Sequence, residues 1–462
     1  MLRWVNAVKS LFNRPHPSAK EPVRIPRSGH NISRKFIDKR ALDVLYALKR
    51  AGYEAYLVGG GVRDLLLGLE PKDFDVVTNA HPEAVKQVFG RKSRIIGRRF
   101  RLVHVYFGRH HFVEVATFRG ESQGGQRKTD ERGRILFDNV YGTMDEDVWR
   151  RDFTVNALYY NIRDFSLIDY VGGLEDLKQG LLRLIGEPET RYREDPVRLI
   201  RAVRFAVKLG FKIEPNTEAP IQPLGHLLQE VAPARLFEEV LKLFHNRQAV
   251  TVFEKLRHYN LFRYLFPQVD ALLDEDALTR GMVLAGLHST QKRLQQDKGV
   301  NPAFLFAFML WGPLVQRMQY YLSQAMQPAQ ALAAAADDVI GRQIRTTAIP
   351  KRITQQVRDI WHLQLRLDNR YGDRAARLAE HPRFRAAYDL LGLRAEAGEP
   401  VRALFEWWTT YQALSPVDRV AFALEVAKPK RRRKRRRRNR NPYRRRARSA
   451  EADIDQGSEA GE

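Results

Sequence analysis

Ala41, Leu42, Leu45 and Leu48 recur at helical spacing, with Ser33 as a candidate cap ahead of them and Gly52 ending the run. The period then shortens. Residues 56–58 are apolar and read as a buried strand, Gly59, Gly60 and Gly61 as a tight turn, and residues 62–67 as the start of a short helix. Polar and apolar positions alternate over 73–78, which predicts a strand. Pro82 suits the first turn of a helix running to Phe89, and strand-like pieces follow at 94–96, 102–107 and 112–117. Residues 120–133 hold Gly, Ser, Gln and charges without apolar period and read as a long loop. From Arg150 the period becomes helical. After Gly173 it stays so, most clearly over 199–211, 236–244, 253–264, 302–322, 353–367 and 384–395.

This order predicts an α/β head, a small mixed sheet with flanking helices, over 31–172. An all-helical neck (173–246) and an all-helical body (247–426) follow. Residues 1–30 form an N-terminal amphipathic segment and linker, and 427–462 an Arg-rich tail. The 462 residues are 44% hydrophobic, enough for a sizeable core, which excludes a wholly disordered chain. The formal charge is +25, of which the tail supplies +10 and the rest of the chain +15. Both parts therefore suit a polyanionic partner. The run 431–438 is entirely Arg and Lys. It cannot fold alone, because like charges repel and nothing apolar is buried, so the tail is expected to be disordered and to contact RNA or DNA.

No cysteine is present, which excludes disulfides, thiolate zinc sites and cysteine nucleophiles, and suits a reducing compartment. The longest apolar run, 303–315, is too short to cross a bilayer. Trp4, Val5, Val8, Leu11 and Phe12 share one helical face ringed by Arg3, Lys9 and Arg14. This stretch reads as a frayed or docked terminal helix in preference to one making weak contact with a membrane surface.

Asp73 and Asp75, separated by Phe74 on a predicted strand, point to the same face. Two carboxylates held together suit a divalent cation, and Mg²⁺ completes its shell with water and substrate phosphates. Such a pair serves metal-dependent phosphoryl or nucleotidyl transfer. About ten residues upstream lies the Gly59-Gly60 turn, whose amides could approach a phosphate at the start of a helix, with Arg63 to grip it. Neither the Walker nor the dinucleotide spacing is matched.

Leu57-Val58-Gly59-Gly60-Gly61-Val62-Arg63-Asp64 followed by Lys72-Asp73-Phe74-Asp75 resembles the head of the class II nucleotidyltransferases, the bacterial poly(A) polymerases and CCA-adding enzymes. The resemblance continues in Arg150-Arg151-Asp152 and in Glu194-Asp195-Pro196-Val197-Arg198. It implies that Asp73 and Asp75 hold the metal ions, Mg²⁺ or Mn²⁺, and that Asp152 is a third catalytic carboxylate near the attacking 3′-hydroxyl. It also implies that Gly59, Gly60 and Arg63 seat the triphosphate of ATP, and that Asp195 and Arg198 read its base. Arg201 and Arg204 share the helical face of Arg198 and read as a solvated basic surface.

Ile95-Ile96-Gly97-Arg98-Arg99-Phe100, continuing to His104-Val105, is similar to the signature of the poly(A) polymerases. That favours AMP addition to RNA 3′ ends over CCA addition to tRNA. A non-catalytic RNA-binding protein stands further behind, since a binder of polyanions has no use for clustered acids. Family membership implies a cytoplasmic role in tagging RNA for decay, with RNA-decay machinery among the partners, and a monomer is expected. His104, His110 and His111 read as structural or surface residues, Trp407 and Trp408 as core, and Tyr443 as a lone aromatic in the tail.

Overall fold

The computed structural model describes residues 21–97, 101–108, 111–120, 128–129, 135–137 and 140–426. The N-terminal amphipathic stretch, the Arg98-Arg99-Phe100 turn, His110, most of the 120–133 loop and the Arg-rich tail with Tyr443 lie outside the described residues.

Eight strands form the sheet of the head: β1 (Val23–Ile25), β2 (Ala55–Val58), β3 (Asp75–Thr78), β4 (Ser93–Ile96), β5 (Leu102–Phe107), β6 (His111–Thr117), β7 (Leu158–Asn161) and β8 (Leu167–Asp169). Their spatial order is β1-β8-β7-β2-β3-β6-β5-β4. Only β3 and β6 pair in parallel; every other neighbouring pair is antiparallel. Alternation sorts the two faces. Leu57, Val76, Val103, Val105, Val113 and Val115 point into a core shared with helices α1 (Lys39–Arg50) and α3 (Pro82–Phe89). Tyr56, Val58, Val77 and Tyr159 point to the opposite face, where Met144 and Val148 of helix α4 (Met144–Arg150) cover them. Beyond α4 that second face carries the candidate chemistry.

From 55 to 117 the expected elements are met to within a residue or two, but the edges of the head are not. β1 lies in the expected linker, so the sheet begins at Val23 and not after residue 31. β7 and β8 are strands where the period from Arg150 predicts helix, because both are buried at every position and show no alternation. Two local details also differ. The cap of α1 is Asp38, which accepts from the Arg40 amide at 2.7 Å, while Ser33 only precedes a short 3₁₀ turn. The strand carrying the double carboxylate begins at Asp75, so Asp73 lies just ahead of it.

Past residue 173 the chain is helical apart from two-residue strand pieces. Asn260, at φ +55°, breaks the expected helix over 253–264, and a second break at Leu310 divides 302–322. One continuous apolar core runs from Phe153 to Leu393 and joins neck to body. A further cluster around Trp408 closes the C-terminal helices, and its indole donates to the Leu367 carbonyl at 3.0 Å. Among the described residues no helix is long and apolar enough to cross a membrane.

Candidate active site

Strand β2 ends at Val58, directly opposite Asp75 of β3, and the chain then turns through Gly59 into helix α2 (Gly60–Leu66). Gly59 sits at φ +75°, a conformation that favours glycine. A Cβ on Gly61 would come within 3.2 Å of the Asp73 carbonyl and 3.3 Å of the Phe74 ring, so this glycine lets the acidic segment lie against the helix start. The first amides of α2 have no intrahelical acceptor and lie beside the carboxylates.

Asp75 pairs in register with Glu114 of β6, which adds a carboxylate that sequence spacing does not reveal. Solvent reaches Asp75, yet the surrounding protein desolvates it. That burial, with Glu114 and Asp73 repelling it and Arg151 attracting it, pushes Asp75 up to about 6. Burial likewise raises Glu114, against the pull of Arg119 and Lys242 and with Asp73 adding to the rise. Among the described residues neither Asp73 nor Asp75 has a salt-bridge partner, and no three His, Asp or Glu side chains form a ready metal cage. An uncompensated carboxylate pair of this kind fits a divalent cation that keeps water and phosphate in its shell.

Asp152 is placed differently from Asp73 and Asp75. Its Oδ2 accepts from Arg201 Nη2 at 2.6 Å and Nε at 3.0 Å, while Oδ1 accepts from the Phe153 amide and from Asn156. Burial opposes its charge, but Arg201 overrides that and holds the carboxyl well below the usual range. Arg201 lies on helix α5 (Val197–Leu209) of the neck, so the pair ties neck to head.

Arg63 lies against Gly60 but is not left free to grip a phosphate, contrary to the expectation. It is 1% exposed, with Nε and Nη2 on Asp64 and Nη1 on Asn156 at 2.5 Å. A side chain buried on α2 among acceptors braces the turn from beneath. Arg201 and Arg204 are likewise no solvated face. Both guanidiniums, with that of Arg63, stack around the Phe205 ring at 5.2, 4.4 and 5.3 Å. Arg204 also faces the buried Glu239 at 3.9 Å, and burial together with Arg201 lowers it to about 10. Lys208 reaches Asp64 at 3.2 Å.

Asp195 closes the turn before α5. Helix α6 (Pro233–Phe244) supplies Arg235, which donates to both its carboxylate oxygens at 2.7 Å. Burial resists this charge, and Arg235 outweighs it, keeping Asp195 ionised. Arg198 is 6% exposed, with Nη1 on the Arg191 carbonyl at 2.8 Å and Glu194 at 3.3 Å. Among the described residues its Nε and Nη2 find no partner.

A mixed sheet bearing paired acids beside a glycine turn, joined to a helical neck and body, is the arrangement that the resemblance to the class II nucleotidyltransferases implies. Residues 55–183 match the poly A polymerase head domain. Residues 210–273 match a probable RNA and SrmB-binding site of polymerase A, and 324–442 the arginine-rich C-terminus of polymerase A. Poly(A) polymerase I of Salmonella typhi is 49% identical over 90% of this chain and 93% of its own length. The CCA-adding enzyme of Lactobacillus helveticus is 41% identical, but over only 46% of this chain and 52% of its own. Among solved structures, the Bacillus stearothermophilus CCA-adding enzyme in complex with CTP aligns with a TM-score of 0.52 and 26% identity, covering 85% of this chain and 89% of that one. The chain belongs to the bacterial poly(A) polymerase family, which bears out the choice of polyadenylation over CCA addition.

Proposed function

We propose that this chain adds AMP from ATP to RNA 3′ ends without a template, using Asp73 and Asp75 to hold Mg²⁺, or Mn²⁺ in its place. The uncompensated carboxylate pair beside the Gly59–Gly60 turn carries this reading. Asp73 and Asp75 would hold the metal where it would lower the pKa of the attacking 3′-hydroxyl and neutralise charge on the departing pyrophosphate. The backbone amides at Gly59 and Gly60 donate to the triphosphate, and Arg63 keeps that turn rigid through Asp64 and Asn156.

Asp195, held ionised by Arg235, is an acceptor only, so it suits the exocyclic amine of adenine and disfavours a base that presents a carbonyl there. The remaining N–H groups of Arg198 donate to a ring nitrogen. Asp152 stays an ionised acceptor near the primer hydroxyl, oriented by Arg201 and Asn156. Positioning and fixed charge therefore supply the chemistry, with no covalent enzyme intermediate. The partners are ATP and RNA 3′ ends, and tagging RNA for decay in a reducing cytoplasm suits the cysteine-free, basic chain.

Pyrophosphate release from ATP and an unstructured RNA, measured with and without added metal, tests this reading. Release should require the metal and vanish in Asp73→Asn and Asp75→Asn while RNA binding persists. Metal-independent release, or turnover by both variants, overturns the assignment.

A further inference from the structure

The face that carries Asp75 does not end at Glu114. In direct register across four strands stand Asp75 of β3, Glu114 of β6, His104 of β5 and Arg94 of β4. One pleat along, Tyr106 of β5 stands opposite Phe112 of β6. The two sides of these strands differ sharply. Val103, Val105, Val113 and Val115 are buried on the far side, whereas here Phe112 remains 49% exposed.

These rings are ordered against one another. His104 and Phe112 stack with centroids 4.0 Å apart and planes inclined by 15°. Tyr106 leans on Phe112 at 5.9 Å and on His104 at 6.1 Å. The Arg94 guanidinium lies 5.9 Å from the Tyr106 ring, and Arg91, Lys92 and Arg94 are all exposed at the β4 edge. With strands about 4.8 Å apart, His104 stands roughly 10 Å from Asp75 along the row. An ordered aromatic stack with an open outer ring and a cationic edge therefore adjoins the catalytic acids.

We propose that this face is the platform on which the terminal bases of the RNA primer stack, delivering the 3′-hydroxyl towards Asp73 and Asp75. Single-stranded RNA suits it because every base offers a π face, so stacking accepts any sequence, and the Arg94 edge attracts the backbone. The proposal rests on the polymerase reading above for what the primer is delivered to. A cross-strand aromatic pair can also exist only to stabilise a sheet. That alternative predicts a change in stability with no effect on RNA.

The test uses the full chain and an unstructured RNA carrying 2-aminopurine either at its 3′ end or far upstream. Binding should quench the 3′ probe and leave the upstream one unchanged. Phe112→Ala and Phe112→Leu should lose the quench and raise the RNA KM about tenfold, with the KM for ATP unchanged and the melting temperature lowered by no more than a few degrees. Phe112→Trp should restore both. Quench and RNA KM retained in Phe112→Ala, or quenching of the upstream probe instead, overturns the proposal. Asp75→Asn should still quench the 3′ probe, so a failure of the catalytic reading is distinguishable from a failure of the platform.

Discussion

Glu114 stands beside Asp75 on the neighbouring parallel strand, so the two carboxylates repel across the pleat. Removing that repulsion should lower the Asp75 titration from about 6 towards the ordinary carboxylate value. In Glu114→Gln the acid limb of the kcat/KM profile therefore moves to lower pH. An unmoved limb would show that Glu114 does not tune Asp75.

Asp75→Asn should cut turnover at least about 100-fold. The same change relieves a strained charge, so the variant should be slightly more stable without metal, by at most about 1 kcal/mol given solvent screening. The sign follows from the raised native titration: the ionised form weakens the fold as pH rises through about 6. Mg²⁺ should raise the melting temperature of the unaltered chain and not that of the variant. Calorimetry with and without Mg²⁺ reads both effects.

Arg63→Ala should act on folding more than on ATP. Losing the guanidinium takes the buried donor from Asp64 and Asn156 and leaves Asp64 to Lys208 alone, at a cost of about 3 kcal/mol. Chemical denaturation measures the loss. A stable variant with a raised KM for ATP would instead return Arg63 to the phosphate.

Arg201→Ala should cost about 2 kcal/mol at neutral pH, less than a fully buried pair, because solvent partly reaches Arg201. Arg201 depresses the Asp152 titration, so its contribution is full above the unfolded carboxylate value and is lost as acid protonates Asp152. The stability gap between the two chains should thus shrink below about pH 4. A constant gap down to pH 2, roughly two units lower, would contradict the ion-pair account.

Local chemistry made the head legible from β2 to β6, but not at β1, β7 and β8. Pro82 to Phe89 forms the helix its pattern predicts, β5 spans 102–107 as its alternation requires, and Gly59 turns where its positive φ is needed. Spacing along the chain also singled out Asp73 and Asp75. Arg201 was misread as a solvated residue, and Arg235 went unnoticed, because their partners are remote. Arg201 reaches Asp152 across 49 positions and Arg235 reaches Asp195 across 40, and no helical period announces either pairing. Arg63 failed for a related reason: α2 turns it inward, towards an Asn156 that is 93 residues away. His104 was legible only as a structural residue, since its stacking on Phe112 depends on the β5–β6 register.

Primer extension tests the central claim most directly, with Mg²⁺, either an unstructured RNA or a tRNA lacking its 3′ CCA, and ATP or CTP supplied singly. The account predicts long ladders from ATP on the unstructured RNA, with little use of CTP. Addition limited to a few residues, dependent on CTP and on the tRNA, would contradict it.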